Sequence, residues 1–466
     1  MSTSRLSEIF YDRLRYTPTA QQRAIGDALV RFCSAARSGE AVFLLNGYAG
    51  TGKTSLIAAL VKALAAINTP TVLMAPTGRA AKVFSAMAAK PAYTIHRRIY
   101  HSDVAGNLNL VVNSTPGTIF IVDEASMIGA DPGENGSSLL HDLMTFCFAA
   151  DECKLILLGD TAQLPPVGCT ASPAMDTQVL KNFGLKVSRA VMTDVVRQNN
   201  RSGILHNATW LRRAMLLDPL PTPKLFIGKF SDVSAVDTTD LPDAIQSSYS
   251  SVGIADTILI TRSNKRATGF NLAIRKSILD YTEMLVKGDR LLVAKNNYHW
   301  SSKIKGLDFI ANGDFAVVDR IIDTEDKYGF RFADVILSLP DRDISLECKI
   351  ILNPLTSDST AMTREETTAL LQARIDDPQS EANAARSESA MRRAMRQDPY
   401  INALQVKYGY AVTCHKAQGG QWSDVYVDMS YIPLDAMGMD FYRWLYTATT
   451  RARRHLAFIA PTIDPQ

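Results

Sequence analysis

A glycine-rich segment between an apolar run and a helix-like stretch limits this chain to few folds. Residues 47–54 read Gly-Tyr-Ala-Gly-Thr-Gly-Lys-Thr and fit the pattern GxxxxGK(S/T). Glycines let backbone N–H groups approach phosphate oxygens, and the following helix directs its positive N-terminal end at the same anion. A plain glycine-rich turn would not require lysine and threonine at these offsets. The segment therefore predicts a phosphate-binding loop in an α/β domain.

Continuous apolar runs bounded by turn residues are typical of strands that are buried on both faces of a parallel sheet. Four such runs occur at residues 41–46, 71–76, 119–124 and 154–160, and alanine- and leucine-rich stretches separate them. This alternation predicts a doubly wound α/β domain. A second α/β block begins near residue 190.

Two insertions and a polar segment interrupt this pattern. Residues 100–118 contain an alternating stretch and a Gly-Asn turn signal, which predict a small hairpin inserted in the first domain. Short strands separated by turn signals at residues 288–353 predict a small antiparallel barrel. Residues 363–397 are polar and mixed in charge, and we expect a solvated helical pair there rather than a functional charge run.

Composition restricts the class of protein. At ~150 residues per domain, 466 residues predict about three domains. The 50 basic and 47 acidic residues give a formal net charge of +3, so a nucleic-acid partner would need basic groups concentrated along a groove. Six scattered cysteines without ligand spacing predict a reduced chain that lacks structural zinc. No signal peptide or membrane span is expected, which predicts a soluble, cytoplasmic protein.

The residues around the phosphate-binding loop predict a nucleotide and Mg²⁺ as ligands. Lys53 is expected to reach the β- and γ-phosphate oxygens, and Thr54 to supply a hydroxyl to Mg²⁺. Asp123 and Glu124 follow an apolar run, at the sheet edge where α/β proteins bind ligands. We expect Asp123 to hold Mg²⁺, directly or through water, and Glu124 to orient or deprotonate the attacking water. The nucleotide contacts expected in the loop are Gly50, Thr51, Gly52, Lys53, Thr54 and Ser55.

A further polar side chain follows the next apolar run. Gln163 lies in the segment GDTAQLPP and could sense the γ-phosphate. The two prolines stiffen this loop, so that a small change at the phosphate can move a neighbouring segment.

Taken in order, several segments resemble the helicase motifs of superfamily 1, and most closely those of its RecD/Dda class. They are YAGTGKT, APTGRAA, TIH, VDEAS, GDTAQLPPV, VVRQ, TCHKAQG and YTATTRAR, and with the upstream glutamine they span residues 21–453. The resemblance implies two RecA-like P-loop motor domains, a hairpin that splits the duplex, and an SH3-like barrel insertion. It implies a division into domain 1A (1–99 and 118–190), hairpin 1B (100–117), domain 2A (191–295 and 404–466) and insertion 2B (296–403).

The resemblance also implies roles for single residues. Gln21 would be the adenine-reading glutamine, with the adjacent Gln22 leaving the register open. Arg197 and Arg451 match the two arginines that reach the γ-phosphate from the second motor domain. The residues that match segments holding single-stranded DNA are Pro76, Thr77, Arg79, Thr94, His96, Thr413, His415 and Lys416.

Two interpretations stay open for some of the aromatic and imidazole side chains. His96 fits a packed, satisfied residue and a DNA contact equally well. Trp422, Tyr442 and Trp444 are candidates for base stacking, although core packing uses the same residue types and is favoured for each of them.

The function expected from this resemblance is an ATP-dependent DNA helicase that translocates 5′-to-3′ on single-stranded DNA and unwinds duplex. The expected partners are single-stranded DNA and tailed duplex DNA, and a single-stranded-DNA-binding protein is a further candidate. Because both motor halves lie in one chain, function as a monomer is expected. The alternatives are an RNA-directed helicase of the same superfamily and a remodelling ATPase that nucleic acid stimulates but that does not unwind.

Overall fold

The computed structural model describes residues 3–14, 16–35, 40–102, 108–130, 137–194, 202–304, 309–433 and 436–461. Its strands are β1 (Ala41–Gly47), β2 (Thr71–Ala75), β3 (Ala92–Thr94), β4 (Tyr100–Ser102), β5 (Leu108–Leu110), β6 (Ile119–Val122), β7 (Lys154–Gly159), β8 (Lys186–Met192), β9 (Val233–Val236), β10 (Thr257–Thr261), β11 (Arg290–Val293), β12 (Phe315–Lys327), β13 (Phe330–Leu339), β14 (Ile344–Ile351), β15 (Leu404–Tyr408), β16 (Ala411–Thr413), β17 (Trp422–Asp428) and β18 (Ala452–Ile459).

The helices of the same ranges are α1 (Thr3–Asp12), α2 (Ala20–Ser34), α3 (Lys53–Ala66), α4 (Gly78–Ala88), α5 (Ile95–Ile99), α6 (Leu139–Cys147), α7 (Thr177–Asn182), α8 (Gly203–Ala214), α9 (Leu241–Val252), α10 (Asn264–Ser277), α11 (Arg364–Asp376), α12 (Glu388–Gln397), α13 (Cys414–Ala417) and α14 (Met439–Thr449). Within the described ranges, none of them is both long and apolar enough to cross a membrane.

The first part of the chain forms a six-stranded parallel sheet in the order β3-β2-β6-β7-β1-β8. Alternate side chains of each strand point to opposite faces. Phe43 and Leu45 thus pack with helices α1 to α4, whereas Val42 and Leu44 pack with α5 to α7. Both faces of the sheet are covered by helices, which confirms the predicted doubly wound α/β domain.

The second α/β block is also confirmed. It is a five-stranded parallel sheet in the order β16-β10-β17-β18-β9. Ile258 and Ile260 pack with α8 and α14 on one face, and Leu259 packs with α9 and α10 on the other. The chain therefore contains two parallel α/β sheets, each covered on both faces, as two RecA-like motor domains require.

The two predicted insertions are present. Strands β4 and β5 pair antiparallel as a hairpin, and its Gly106-Asn107 turn lies outside the described residues. Strands β11 to β15 form a closed barrel. The helical pair predicted near residues 363–397 is formed by α11 and α12, and no residue of α12 is buried.

The barrel differs from the sequence prediction in two respects. Its β14–β15 pair is parallel, so it is not purely antiparallel, because the helical pair carries the chain from the end of β14 back to the start of β15. Strand β11 lies within the predicted residues 288–353, whereas β15 lies beyond them. Both strands lie outside the range 296–403 that the resemblance implies for insertion 2B. One core cluster runs from the barrel into the second sheet and includes Leu291, Leu404 and Leu259. Because β15 follows the long polar segment in the chain, the sequence pattern did not assign it to the barrel.

Candidate nucleotide site and nucleic-acid groove

A cleft of about 630 Å³ lies at the carboxyl ends of β1, β6 and β7. One side of it belongs to the first sheet and includes Lys53, Glu124 and Gln163. The opposite side belongs to the second α/β block and includes Ile204 and Arg451. The two sheets therefore share one cleft, and sequence motifs that are hundreds of residues apart line it together.

The phosphate-binding loop has the backbone that its glycines predict. Gly50 and Gly52 have φ angles of 78° and 81°, which side-chain-bearing residues seldom adopt. A Cβ atom at Gly52 would also lie 2.7 Å from Nε2 of Gln22. Helix α3 begins at Lys53, so Thr54 and Ser55 stand in its first turn and line the cleft. Thr51 is fully buried and its hydroxyl donates to the carbonyl of Tyr48 at 2.8 Å, which braces the loop.

Lys53 connects the loop to the next strand of the sheet. Its Nζ donates to the carbonyl oxygens of Gly47 at 2.6 Å and Gly159 at 3.0 Å. Both acceptors are neutral, so neither hydrogen bond neutralises the ammonium charge. A positive charge held at the mouth of a helix N-terminus fits a bound phosphate group.

Asp123 and Glu124 lie together at the end of β6. Burial raises the pKa of Asp123 to about 6, with a contribution from the Glu124 carboxylate and an opposing one from Lys53. Oδ1 of Asp123 accepts the backbone N–H of Glu124 at 2.8 Å. Glu124 has a φ of 54°, an unusual conformation for a residue other than glycine and one found at functional sites.

Two buried oxygens in the cleft lack partners in the described part of the chain. They are Oε2 of Glu124 and Oε1 of Gln163. Buried polar atoms in proteins are nearly always hydrogen-bonded, so orphaned acceptors facing a cleft indicate a missing ligand or water. Carboxylate, hydroxyl and amide oxygens beside a lysine are the donor set expected of a magnesium–nucleotide site.

The two candidate glutamines differ in position. Nε2 of Gln22 donates to the carbonyl of Thr51, and this side chain lines the cleft. The Gln21 amide instead bonds Thr193 and the backbone N–H of Asp194, just beyond β8. Among the described residues that line the cleft, the glutamine contributed by α2 is therefore Gln22 and not Gln21. The sequence analysis considered both glutamines, and the orientation of α2 decides which of them faces the cleft.

The two candidate arginines also have different outcomes. Arg197 lies outside the described residues. Arg451 is 3 % exposed, and its guanidinium donates to the carbonyls of Thr447 and Gly420 and to the hydroxyl of Thr450, at 3.0, 3.2 and 3.0 Å. These three acceptors belong to the second α/β block, so they hold the guanidinium in place. Because they are uncharged, they leave its positive charge uncompensated where it lines the shared cleft.

The segments predicted to hold nucleic acid contact one another across the two sheets. A Cβ atom at Gly419, just beyond the CHKAQ segment, would lie 2.8 Å from Oγ1 of Thr77. Arg79 donates to the carbonyl of Gln421 at 2.8 Å, and its guanidinium carbon lies 4.1 Å from the Trp422 ring centroid. Pro76 is half-buried in the same turn. Arg79 therefore joins the first sheet's helix α4 to the second α/β block, and one of its N–H donors is already used in the hydrogen bond to Gln421.

Two of the predicted threonines stand at helix starts. The hydroxyls of Thr77 and Thr94 accept backbone N–H groups in the first turns of α4 and α5. Thr413 occupies the corresponding position before α13 without a side-chain hydrogen bond to that helix. A threonine hydroxyl that accepts a backbone N–H as a cap orients the helix start and can still donate its own O–H to a ligand.

A barrel loop brings His96 and Lys416 into one region. The rings of His96 and Phe309 are 5.7 Å apart, and Lys416 donates to the side chain of Asn312. Burial lowers the pKa of His96 and lowers that of Lys416 to about 8. Partial burial and the neighbouring Lys416 also lower the pKa of His415. The sequence reasoning missed Phe309 and Asn312, for which only the turn signal at residues 312–314 was visible.

The three aromatic candidates for base stacking lie in the core, which is the interpretation favoured for each of them. Trp422, Tyr442 and Trp444 are at most 5 % exposed and belong to the core of the second α/β block. Aromatic composition does not distinguish a stacking surface from a core, and here these rings fill the space between the sheet and α14.

Two family models match the chain. Residues 20–216 match a model described as an AAA domain, and residues 408–459 match a UvrD-like helicase C-terminal domain. The first contains the phosphate-binding loop and both acidic residues, and the second contains Lys416 and Arg451.

Among curated proteins, the chain is similar to two helicases. It is 30 % identical over 130 residues to the ATP-dependent RecD2 DNA helicase of Deinococcus radiodurans, covering 28 % of this chain and 17 % of that protein. It is 26 % identical over 284 residues to the ATP-dependent DNA helicase dda of Enterobacteria phage T4, covering 56 % of this chain and 58 % of that protein. The chain thus matches less than two thirds of the length of either relative.

Solved structures to which the chain is similar include Pif1 helicases. The Bacteroides protein in complex with ADP-AlF3 and ssDNA is 15 % identical, covers 97 % of this chain and 95 % of its own, and has a TM-score of 0.48. The Candida albicans protein is 16 % identical, with coverages of 96 % and 94 % and a TM-score of 0.44. The family models and the curated relatives confirm the resemblance to superfamily 1 helicases of the RecD/Dda class, and they indicate nucleotide binding.

Proposed function

We propose that this chain is an ATP-dependent DNA helicase that moves 5′-to-3′ on single-stranded DNA and unwinds duplex. The observation that carries the proposal is the shared cleft, in which Lys53, Asp123, Glu124 and Gln163 of the first sheet face Arg451 of the second block. The first sheet with its helices is here called the first half of the chain, and the second α/β block the second half. A nucleotide bound in the cleft touches both halves, so its binding and hydrolysis can close and reopen them. The names of the two curated relatives, both ATP-dependent DNA helicases, support helicase activity.

The nucleotide is held by residues of the first half. Lys53 and the backbone of residues 50–55 bind the phosphates, and Gln22 lies where it can contact the base. Thr54 and Asp123 hold Mg²⁺, which neutralises phosphate charge when bound. Glu124 accepts a proton from, or orients, the attacking water with its unpaired Oε2.

The second half completes the site. Arg451 contributes charge at the γ-phosphate, an effect worth ~10³–10⁵ in rate for arginines of this kind. From the first half, Gln163 contacts the same phosphate. From the second half, Arg197 is proposed as a second arginine there. Because Arg451 is already anchored by three neutral oxygens, its movement with the second half requires no rearrangement of its own contacts.

Single-stranded DNA passes along the surface where the two halves meet the barrel. His96 and Thr94 contact it from domain 1A, and His415, Lys416 and Thr413 from domain 2A, with Pro76, Thr77 and Arg79 at the junction. With His96 uncharged, its contribution is a ring contact or a hydrogen bond. The binding therefore depends on Lys416 and Arg79 for charge and weakens as salt rises.

The remaining parts of the proposal follow from the resemblance. The hairpin of β4 and β5 acts as the pin that meets the duplex, and the domain division is the one given above, with the barrel of insertion 2B widened to include β11 and β15. Tailed duplex DNA is the substrate, one chain suffices for movement, and a single-stranded-DNA-binding protein is a partner.

The experiment compares ATP hydrolysis with no nucleic acid, with single-stranded DNA, and with RNA of the same sequence. Only the 2′-hydroxyl and the thymine methyl distinguish these polymers. Strong stimulation by DNA is expected. Stimulation by RNA alone would make the chain an RNA-directed helicase, and turnover independent of both would favour a remodelling ATPase.

A further inference from the structure

One hydroxyl group of the second half joins two loops of the first half at the nucleotide site. Tyr446, on α14, is 1 % exposed. Its hydroxyl donates to Oδ2 of Asp160 at 2.7 Å and accepts the backbone N–H of Ala49 at 2.9 Å. Ala49 belongs to the phosphate-binding loop, and Asp160 begins the loop that carries Gln163.

The surroundings fix the direction of these hydrogen bonds. Asp160 is 1 % exposed, and its other carboxylate oxygen accepts the N–H of Ala162 at 3.0 Å. Burial, with a contribution from Asp160, raises the pKa of Tyr446 well above its usual range. The phenol therefore keeps its proton and donates a hydrogen bond to the carboxylate. Without the hydroxyl, a half-buried N–H and a buried carboxylate oxygen would each lose a partner.

The same helix positions Arg451. Arg451 lies two residues beyond the end of α14, and its Nε is anchored on the carbonyl of Thr447 in the last turn of that helix. The hydroxyl of Thr447 in turn accepts the N–H of Leu164, in the Gln163 loop, at 2.8 Å. The contact of Tyr446 with the phosphate-binding loop thus sets how far Arg451 stands from that loop.

We propose that Tyr446 is a positioning residue for hydrolysis, which couples closure of the two halves to the placement of Arg451 and Gln163. The inference rests on the proposed ATPase function. Tyr446 does not line the cleft, so it acts through Ala49, Asp160 and α14 rather than on the nucleotide. Nucleotide can then bind to the first half without it, whereas the alignment of the hydrolytic groups depends on it.

The test is Tyr446→Phe in the full chain, assayed for steady-state ATP hydrolysis with saturating single-stranded DNA. The phenyl ring keeps the packing and only the hydroxyl is lost. Losing a hydrogen bond to a buried charged group predicts a kcat lower by about 10- to 100-fold, with the KM for ATP changed by less than about threefold. A loss confined to kcat separates positioning from weaker nucleotide binding.

Tyr442→Phe is the matched control. Tyr442 lies one turn earlier on α14, is equally buried, and donates its hydroxyl to the carbonyl of Pro221, away from the phosphate-binding loop. This variant loses a buried hydroxyl of the same helix, and its kcat is expected to stay within about twofold of wild type. An equal loss of kcat in both variants would assign the effect to the packing of α14 and overturn the proposal.

Asp160→Asn provides a second approach if Tyr446→Phe folds poorly. It removes the carboxylate charge that accepts the hydrogen bond of Tyr446 and keeps the shape of the side chain. We expect a lower kcat, and a smaller effect of Tyr446→Phe in this background than alone, because the two residues share one interaction. Unchanged kcat in Tyr446→Phe or in Asp160→Asn, or full additivity of the two, would overturn the proposal. Absence of DNA-stimulated hydrolysis in the wild-type chain would instead refute the proposed function.

Discussion

Nε2 of Gln22 donates a hydrogen bond of 2.9 Å to the backbone carbonyl of Thr51, and so ties α2 to the phosphate-binding loop. Its Oε1 accepts the backbone N–H of Thr19 at the start of the same helix. This buried amide uses one N–H on the loop and its oxygen on the helix cap. Its second N–H is therefore held in a fixed direction, where it can contact a nucleotide base.

This relationship predicts that Gln22→Glu raises the KM for ATP by about tenfold. Glutamate keeps an acceptor for Thr19 but places an oxygen against the Thr51 carbonyl, which disturbs the loop. Gln21→Glu is the comparison, because Gln21 bonds Thr193 and Asp194 instead. Steady-state ATP hydrolysis by both variants checks the prediction, and a larger rise in KM for Gln21→Glu would return the adenine-reading role to Gln21.

Glu124→Gln is expected to bind ATP and hydrolyse it about 10²- to 10⁴-fold more slowly. The amide occupies the same space as the carboxylate but cannot take a proton from water. Binding of a fluorescent ATP analogue and single-turnover hydrolysis measure the two properties separately. Fast hydrolysis by this variant would remove Glu124 from the role of base.

Arg451→Ala is expected to retain nucleotide binding and lose DNA-stimulated turnover by about 10³-fold or more, because it removes the cation supplied by the second half. Arg453→Ala is the control. The Arg453 guanidinium also lines the cleft but is partly exposed and paired with Asp256 at 2.7 Å, so its charge is already compensated and its loss is expected to cost much less turnover. Equal losses in the two variants would contradict a specific role for Arg451.

The pKa of Lys416, lowered by burial to about 8, predicts a pH-dependent affinity for DNA. The ammonium is charged below this pH and loses its proton above it, so binding to phosphate weakens as pH rises. The dissociation constant is expected to increase by up to about tenfold per pH unit above pH 8. Fluorescence anisotropy of a labelled oligonucleotide measures this, and Lys416→Arg should remove the dependence because arginine stays charged. A profile that is the same for both proteins would exclude Lys416 as its source.

The sequence predicted the parts of the site in which the chemistry is local. Lys53 follows its glycines directly, and Asp123 follows its own strand, so spacing along the chain was sufficient to find them. Arg451 was found because it lies in a segment that matches a known motif. Each of these residues lines the shared cleft or its wall.

Contacts between distant segments could not be predicted in this way. Tyr446 meets Ala49 only after the two sheets pack together, and Phe309 reaches His96 only through the folded barrel. Similarly, the apolar residues of β15 and the ring of Trp422 fit several environments. Whether such residues form a barrel strand, a core or a binding surface depends on which parts of the chain pack over them, and only the whole fold determines this.

Unwinding of two matched partial duplexes tests the account most directly. One duplex has a 5′ single-stranded tail and the other a 3′ tail, and both are incubated with the chain, ATP and Mg²⁺, with Lys53→Ala as the inactive control. The account predicts that the wild-type chain opens the 5′-tailed duplex selectively and that the variant opens neither. Selective opening of the 3′-tailed duplex would contradict the polarity, and failure to open either duplex while DNA-stimulated hydrolysis persists would contradict the helicase function itself.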